Sequence, residues 1–452
     1  MKILRAAIAA SLLLAFAMPV LAQDDFEVSK KKDVAVFALG YYGYDIPSNV
    51  LATVDAEIQS VFVNLGRFNV LGQTVRFSSA DINQFIEILR KAKEENTPLP
   101  DEVKFGEVQL TEALLNQLYG SFVVVIPTIT SYTSEYNSEA EEYQTRIKTS
   151  VAFIDVAEGK TFGWASIDTS GSSEETQQKS IQGALAGIAG QLEYEVRSIP
   201  AFTISSRILS ANLIEARMQL GQDMGIKKGD EYLIIEKKDI MGFEDEVEAG
   251  LIMVKDVQAK ASVATILYGD SNSVKEGAQI RELPRQGFDA SISGGYLQYF
   301  GEREWDGETT SGTPTLNLKV IGTRGFYAIR PTGGFFVLLD GALLFPVIAT
   351  AGLDMNIFMR RLTFTANASI GVGTNVILMI LEDAATNSDS QKWVTHLGGI
   401  ASVGASYLIT RDVKLYAEAT GMFMWGFMGI TGISIFESYA GIGANVGISL
   451  KL

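Results

Sequence analysis

From residue 288 to residue 452 the chain alternates between apolar and polar side chains at a period of two. That is the repeat of a β-strand, in which successive side chains face opposite sides of the sheet. In the last segment Ala440, Ile442, Ala444, Val446, Ile448, Leu450 and Leu452 hold one parity; Gly441, Gly443, Asn445, Gly447, Ser449 and Lys451 hold the other. Leu362, Phe364, Ala366, Ala368, Ile370 and Val372 repeat the pattern, as do Ala349, Ala351, Leu353, Met355 and Ile357. The apolar parity carries no charge, and the polar parity is short and uncharged over long runs, where a soluble sandwich would fill its core parity with large residues. The pattern therefore predicts a lipid-facing exterior around a narrow polar lumen.

The segments fall at 288–298, 314–327, 335–345, 347–359, 362–372, 395–408, 413–425 and 438–452. Eight antiparallel strands lie near the minimum for a closed transmembrane barrel. With the first strand running outward, the outer connections are 301–313, the break at Pro346, 380–394 and 426–437; the inner ones are 330–334, 360–361 and 409–412. Trp305, Trp393 and Trp425 then fall near the outer rim, where indole rings favour the interface. The competing element is a transmembrane helix over 334–352, but Asp340 lies near its middle and Pro346 breaks its second half. A barrel strand can turn Asp340 into the lumen instead.

Ahead of the barrel the hydrophobic periods change. Residues 1–22 carry Lys2 and Arg5, an apolar run and Val20-Leu21-Ala22, the signature of a secretory signal peptide cleaved before Gln23. A charged linker over 23–33 follows. Within 34–200, apolar runs at 34–39 and 121–126 predict buried strands. Helical spacing appears at 47–65, 81–93, 110–118 and 176–198, and alternation at 144–156 and 160–168 predicts an antiparallel pair. A second strand is expected at 67–71, a linker at 94–104 and an acidic, solvated loop at 128–143. Together these make an α/β unit. Gly183, Gly187 and Gly190 suit close packing of the last helix on the sheet and are not spaced as a phosphate loop. The stretch 201–284 reads as short strands with glycine turns, a small all-β domain, with 241–248 as a solvated loop. In its phrase Gly225-Ile-Lys-Lys-Gly-Asp230, the glycines permit turns and Asp230 can cap one.

The order of Val34-Ala-Val-Phe37, a helix, Gly66-Arg-Phe-Asn-Val70, further helices, Phe122-Val-Val-Val-Ile126, a hairpin and a terminal helix resembles a known periplasmic domain. It is shared by the curli-secretion (CsgG-like) family, the TolB amino-terminal domain and the middle domain of flagellar assembly protein T. The 225–230 phrase looks like a turn in the last domain of that flagellar protein. The resemblance implies periplasmic α/β and small β-domains at the membrane. The chain departs from the curli family in lacking a lipidated cysteine and in carrying a complete barrel of its own, so the resemblance alone does not carry over a secretion-channel role.

Composition narrows the function classes. The formal charge of −16 becomes −18 once Lys2 and Arg5 leave with the signal, which excludes nucleic acid as an expected partner, because phosphate binding needs a basic surface. With no cysteine in the chain, membrane attachment falls to the strands themselves. His396 is the only histidine, and it sits on the lumen parity with Ser402 and Ser406. Glu418 and Lys414 share that parity and are expected to pair with lumen neighbours. No catalytic, cofactor-binding or metal-binding residue is assigned, no cofactor is expected, and an enzyme is not expected. The expectation is an outer-membrane-anchored envelope protein that presents periplasmic domains to a protein partner for assembly or scaffolding. The alternative is a homo-oligomeric secretion or small-solute pore; a further rival is a soluble, ligand-binding cup.

Overall fold

The computed structural model describes residues 27–41, 43, 45–71, 87, 102–105, 108–111, 122–156, 158–240, 243–305, 308–339, 346–375, 394–428 and 438–452. The expected signal peptide, Asp340, Trp393 and nearly all of the helix expected at 81–93 lie outside them. The described residues form three large sheet systems in succession, two of them closed barrels, and a separate two-stranded sheet.

The first is mixed. β1 (Lys32–Val36) pairs in parallel with β3 (Phe68–Leu71) and with β6 (Phe122–Asn137), while the short β2 (Gly40–Tyr41) also runs parallel to β6. β7 (Glu142–Asp155) and β8 (Lys160–Ser173) complete the sheet as an antiparallel meander. Three helices, α1 (Ser48–Asn64), α2 (Gln177–Ala186) and α3 (Ile188–Ser198), cover one face. The apolar stripe read along 50–65 buries Val50, Val54, Ile58, Val61 and Phe62. These meet Val34, Val125, Val151, Phe153 and Leu192 in one core, which Phe202 closes at 5.1–5.2 Å from the rings of Phe68 and Phe153.

Several sequence expectations change here. The 128–143 loop is strand as far as Asn137: Ile129 is buried, Ser134 and Thr145 bond at 2.8 Å, and the Tyr136 and Tyr143 rings meet edge-on at 5.1 Å. Cross-strand pairs hold a polar sequence in a ladder that composition alone assigns to a loop. The helix expected at 110–118 begins inside a strand, since β5 (Val108–Thr111) pairs with β4 (Glu102–Phe105), which overlaps the end of the expected linker. The 176–198 helix is divided at Gly187, which passes close to the Thr169 side chain.

The second system closes on itself in the order β10, β13, β12, β11, β14, β9. Its strands are β9 (Ser205–Ala211), β10 (Glu215–Gln219), β11 (Glu231–Ile240), β12 (Phe243–Val257), β13 (Ala261–Gly269) and β14 (Gln279–Leu283). The 241–248 loop is a correction: β12 starts at Phe243, and Lys237 faces Glu246 and Lys238 faces Asp245 across the hairpin. Opposite charges directly opposed stabilise such a ladder.

The third is a closed eight-stranded antiparallel barrel of sequential neighbours. Its strands are β15 (Phe288–Trp305), β16 (Glu308–Gly322), β17 (Ile329–Leu338), β18 (Pro346–Met359), β19 (Leu362–Asn375), β20 (Val394–Leu408), β21 (Val413–Met428) and β22 (Tyr439–Lys451). β15 and β22 close it through pairs such as Ile292 with Ile448. The expected inner turn at 330–334 is corrected to the stretch between Gly322 and Ile329, and those residues instead continue β17. The competing helix over 334–352 is also set aside, because 334–338 and 346–352 are strand.

Candidate functional site

Three surfaces of the barrel carry the chemistry: its outside, its lumen and its base. On the outside, the apolar parity faces solvent all round. Ile442 is 57% exposed, Val446 66%, Ile370 68% and Ile357 67%, and Leu353, Val403 and Leu415 stand on the same surface. None of these outward positions is charged. Trp425 is exposed near the end of β21, its ring meeting Phe423 edge-on at 4.6 Å. A contiguous apolar girdle of this extent is costly in water and suits hydrocarbon.

The lumen is graded along its axis. At the base Lys414 donates to Asp289 at 2.6 Å, and in the middle Lys319 donates to Glu418 at 2.8 Å. Glu418 also accepts from Ser402 at 3.2 Å, so the pairing expected for Lys414 and Glu418 is present, each with a residue of another strand. Asn367 donates to Asp354, and Thr315, Asn445 and Thr420 form a hydrogen-bonded row. Towards the outer end the inward parity turns apolar, with Leu297, Tyr299, Phe336, Leu338, Ile348, Ile400, Met422 and Met424 in one buried cluster. Gly371, Gly373 and Gly398 make room for it, since a Cβ there would fall within 2.7–2.8 Å of Ile348 or Met424 atoms. The expected narrow polar lumen is therefore present at the base and middle and is corrected at the outer end, which is apolar. That apolar end also explains why 335–338 reads as continuously apolar: one parity faces out and the other joins the plug. His396 lies on the lumen parity and is fully buried.

The base is closed by the second sheet system. Leu251, Met253 and Leu267 pack on Leu408, with Tyr327 and Phe358 alongside. Arg330, 4% exposed, donates to the Tyr327 carbonyl at 3.1 Å and lies 5.1 Å from the Phe358 ring. A cavity of about 70 Å³ remains between base and plug, and its charged lining residues are Asp289, Lys319, Arg330, Asp354, Lys414 and Glu418.

Where the three systems meet, charges are buried as a network. Glu282 of β14 takes a two-pronged bond from Arg67 at 2.7 and 3.0 Å, and Arg197 of α3 donates to it at 2.7 Å. Arg197 also reaches Asp230 at 3.4 Å, and Arg324, from the barrel turn, donates to Asp230 at 2.8 Å and pairs with Glu193. Arg285 bonds Glu231 and Asp412, while Lys451 at the barrel's last strand pairs with Glu231. Burial alone would push the Glu282 carboxyl up, but the charges of Arg67 and Arg197 and their hydrogen bonds outweigh it and hold it at about 2. Glu193 is likewise held at about 2, burial being overcome by Arg324 and Lys227.

The 225–230 loop is the hub of this junction, a role that its turn reading missed. Asp230 does cap the loop, accepting from the Lys227 amide at 2.8 Å. Beyond that, a Cβ on Gly225 would lie 1.7 Å from the Leu65 carbonyl oxygen, and one on Gly229 2.1 Å from that of Thr323. Both glycines have positive φ and admit the backbone of the first sheet system on one side and of the large barrel on the other. The signal present in the sequence was two glycines flanking lysines before an aspartate, with nothing to say that two further units would press on it.

No protein-family model and no curated protein matches the chain. Among solved structures, Neisserial surface protein A is similar over 37% of this chain and 97% of its own, at 10% identity and a TM-score of 0.27. The hypothetical protein CT253 from Chlamydia trachomatis covers 36% of this chain and 97% of its own, at 16% identity and a TM-score of 0.24. Lipoprotein GNA1162 from Neisseria meningitidis covers 36% and 97%, at 14% identity and a TM-score of 0.21. Similarity this low speaks to neither activity nor partner, and function has to be read from the side chains.

Proposed function

We propose that the chain is held in an outer membrane by its eight-stranded barrel and carries the other two sheet systems beneath it, in the periplasm, as a rigid platform for an envelope complex. The outward apolar girdle carries this reading, because water would have to solvate Ile442, Val446, Ile370 and Ile357 at once. The buried ion network supports rigidity, since each of the three systems contributes a charge that another neutralises. Trp164, 65% exposed on β8, supports a docking face, as indole groups recur at the centres of interfaces.

A pore through the single barrel is disfavoured: Phe336, Ile348 and Met424 stopper one end and Leu251, Met253 and Leu267 the other. The test is membrane partition of the full chain in a double-membraned cell. After high-salt and alkaline washes the protein should stay in the outer-membrane pellet, and lysine-directed crosslinking in intact cells should capture discrete periplasmic proteins. Release into the aqueous phase would overturn the anchor, and retention without any captured protein would overturn the platform.

A further inference from the structure

At the base of the barrel, one row of outward residues runs around the rim. Cross-strand register places Met359 beside Leu362, Leu362 beside Tyr407 and Tyr407 beside Leu415. Met359 and Tyr407 are exposed, and the row forms the lower edge of the apolar girdle. Directly below it, the Arg360–Arg361 turn joins β18 to β19. Arg360 has φ +57°, a left-handed conformation that glycine or asparagine adopts more readily, so the arginine is present against local preference.

Both guanidinium groups are held by neutral partners. Arg360 donates to the Gly269 carbonyl, and Arg361 donates to the Leu408 and Ile409 carbonyls at 2.9 and 3.1 Å and lies 4.2 Å from the Tyr268 ring. Neither makes an ion pair among the described residues, whereas the neighbouring Arg411 is paired with Glu248 and Asp412. The acids nearby are engaged elsewhere: Glu248 accepts from Tyr268 and Arg411, and Asp270 accepts from Ser273 and Asn272 within its own turn. The small barrel forms the far wall, and between the two lies an open, shallow groove of about 570 Å³ whose charged lining is Arg360, Arg361 and Asp270.

We infer that this groove binds one anionic phospholipid of the inner leaflet, its phosphodiester on Arg360 and Arg361 and its acyl chains along Met359, Leu362 and Tyr407. Guanidinium donors match phosphate oxygens, and a tyrosine at the rim sits where aromatic rings favour the membrane interface. The two arginines fit the phosphate that both ligands share, and the continuity of the groove with the apolar girdle chooses a lipid over a free phosphate. The inference rests on the membrane reading above, since the acyl chains need a bilayer edge.

The full chain in detergent is titrated with phosphatidylglycerol or with phosphatidylcholine, and retained lipid is counted by native mass spectrometry. We expect one phosphatidylglycerol per chain, held at least tenfold more tightly than phosphatidylcholine, unmoved by inorganic phosphate, and weakened about tenfold in R360Q/R361Q with partial recovery in R360K/R361K. Equal retention of the two lipids, no effect of the double substitution, or displacement by inorganic phosphate would overturn it. Should the double variant not fold, a photoactivatable phosphatidylglycerol on the unmodified chain decides: crosslinks should concentrate at residues 359–362 and 407–415, and an even spread around the barrel would refute the site. A chain that enters no bilayer fails the anchor reading; one that inserts but shows no headgroup preference fails this inference alone.

Discussion

Glu282 shows how much one buried carboxylate can hold. It is fully enclosed, and its two oxygens accept from Arg67, Arg197 and the Ile204 amide, so two stretches far from it in sequence converge on one charge. Removing that charge takes the carboxylate from buried Arg67 and leaves buried Arg197 with Asp230, and breaking such a buried pair costs roughly 3–5 kcal/mol. Glu282→Gln should accordingly lower the denaturant midpoint steeply, while a similar change at exposed Glu158 should stay within about 0.5 kcal/mol. The pH dependence follows from the direction of the shift. With its folded value near 2 against an ordinary 4.5, Glu282 contributes stability that is complete above about pH 4.5 and is lost as pH falls towards 2. The depressed carboxyl is worth on the order of 3 kcal/mol at neutral pH. Denaturant titrations between pH 5 and 2 should show this loss in the native chain and a smaller one in the glutamine variant; equal slopes would refute the assignment. None of this was legible in the sequence, where Arg67, Arg197 and Glu282 stand in ordinary polar contexts.

At the scale of elements, the meeting of β8 with α2 is set by glycine. A Cβ on Gly171 would fall 2.2 Å from the Ser180 carbonyl oxygen and 2.4 Å from the Ala184 amide nitrogen, both backbone atoms of α2. Gly171→Ala must therefore push the helix off the sheet, and a loss of about 2–4 kcal/mol is expected from the overlap and the gap it opens in the core. A thermal scan checks this, with Gly190→Ala as the control, because nothing lies near a Cβ there. The close packing of the last helix was legible from Gly183 and Gly187, whereas Gly190, read the same way, faces open space. That Gly171 on the strand is its tightest point was not legible, because strand and helix register is decided only when they dock. The edge of β8 shows a related device: Gln191 of α3 accepts from the Asp168 amide at 3.1 Å and donates to its carbonyl at 3.2 Å, occupying main-chain groups that another strand would otherwise pair with.

For the whole molecule, the question is whether the barrel conducts. Apolar side chains fill its outer end and the small barrel covers its base, so the native chain in a planar bilayer should give no stable channels. Phe336→Ala combined with Met424→Ala removes two large plug residues and should yield small, flickering conductance only when the base is also released, by truncation before Phe288. Large stable channels from the native chain would overturn the closed-barrel reading, and silence from the truncated double variant would show that the plug is not the barrier. Because lipid and lumen impose opposite solvents on alternate residues, the parity of the strands was legible over most of their length, though not at 330–334. The plug was not, because an apolar residue on the inward parity looks the same in sequence as an error in the alternation.

The sequence by itself determined that most of the stretch from 288 onward is barrel strand and which faces of those strands point outward. Those are properties of local periodicity, and a period of two or of 3.6 survives whatever the segment packs against. Only the tertiary structure decided where strands end, that 128–137 and 243–248 are ladder and not loop, that the lumen is stoppered, and that Glu282, Asp230 and the 225–230 loop bind three units together. Each of these depends on a partner distant along the chain, and a carboxylate or a glycine carries no mark of the guanidinium or backbone that will meet it.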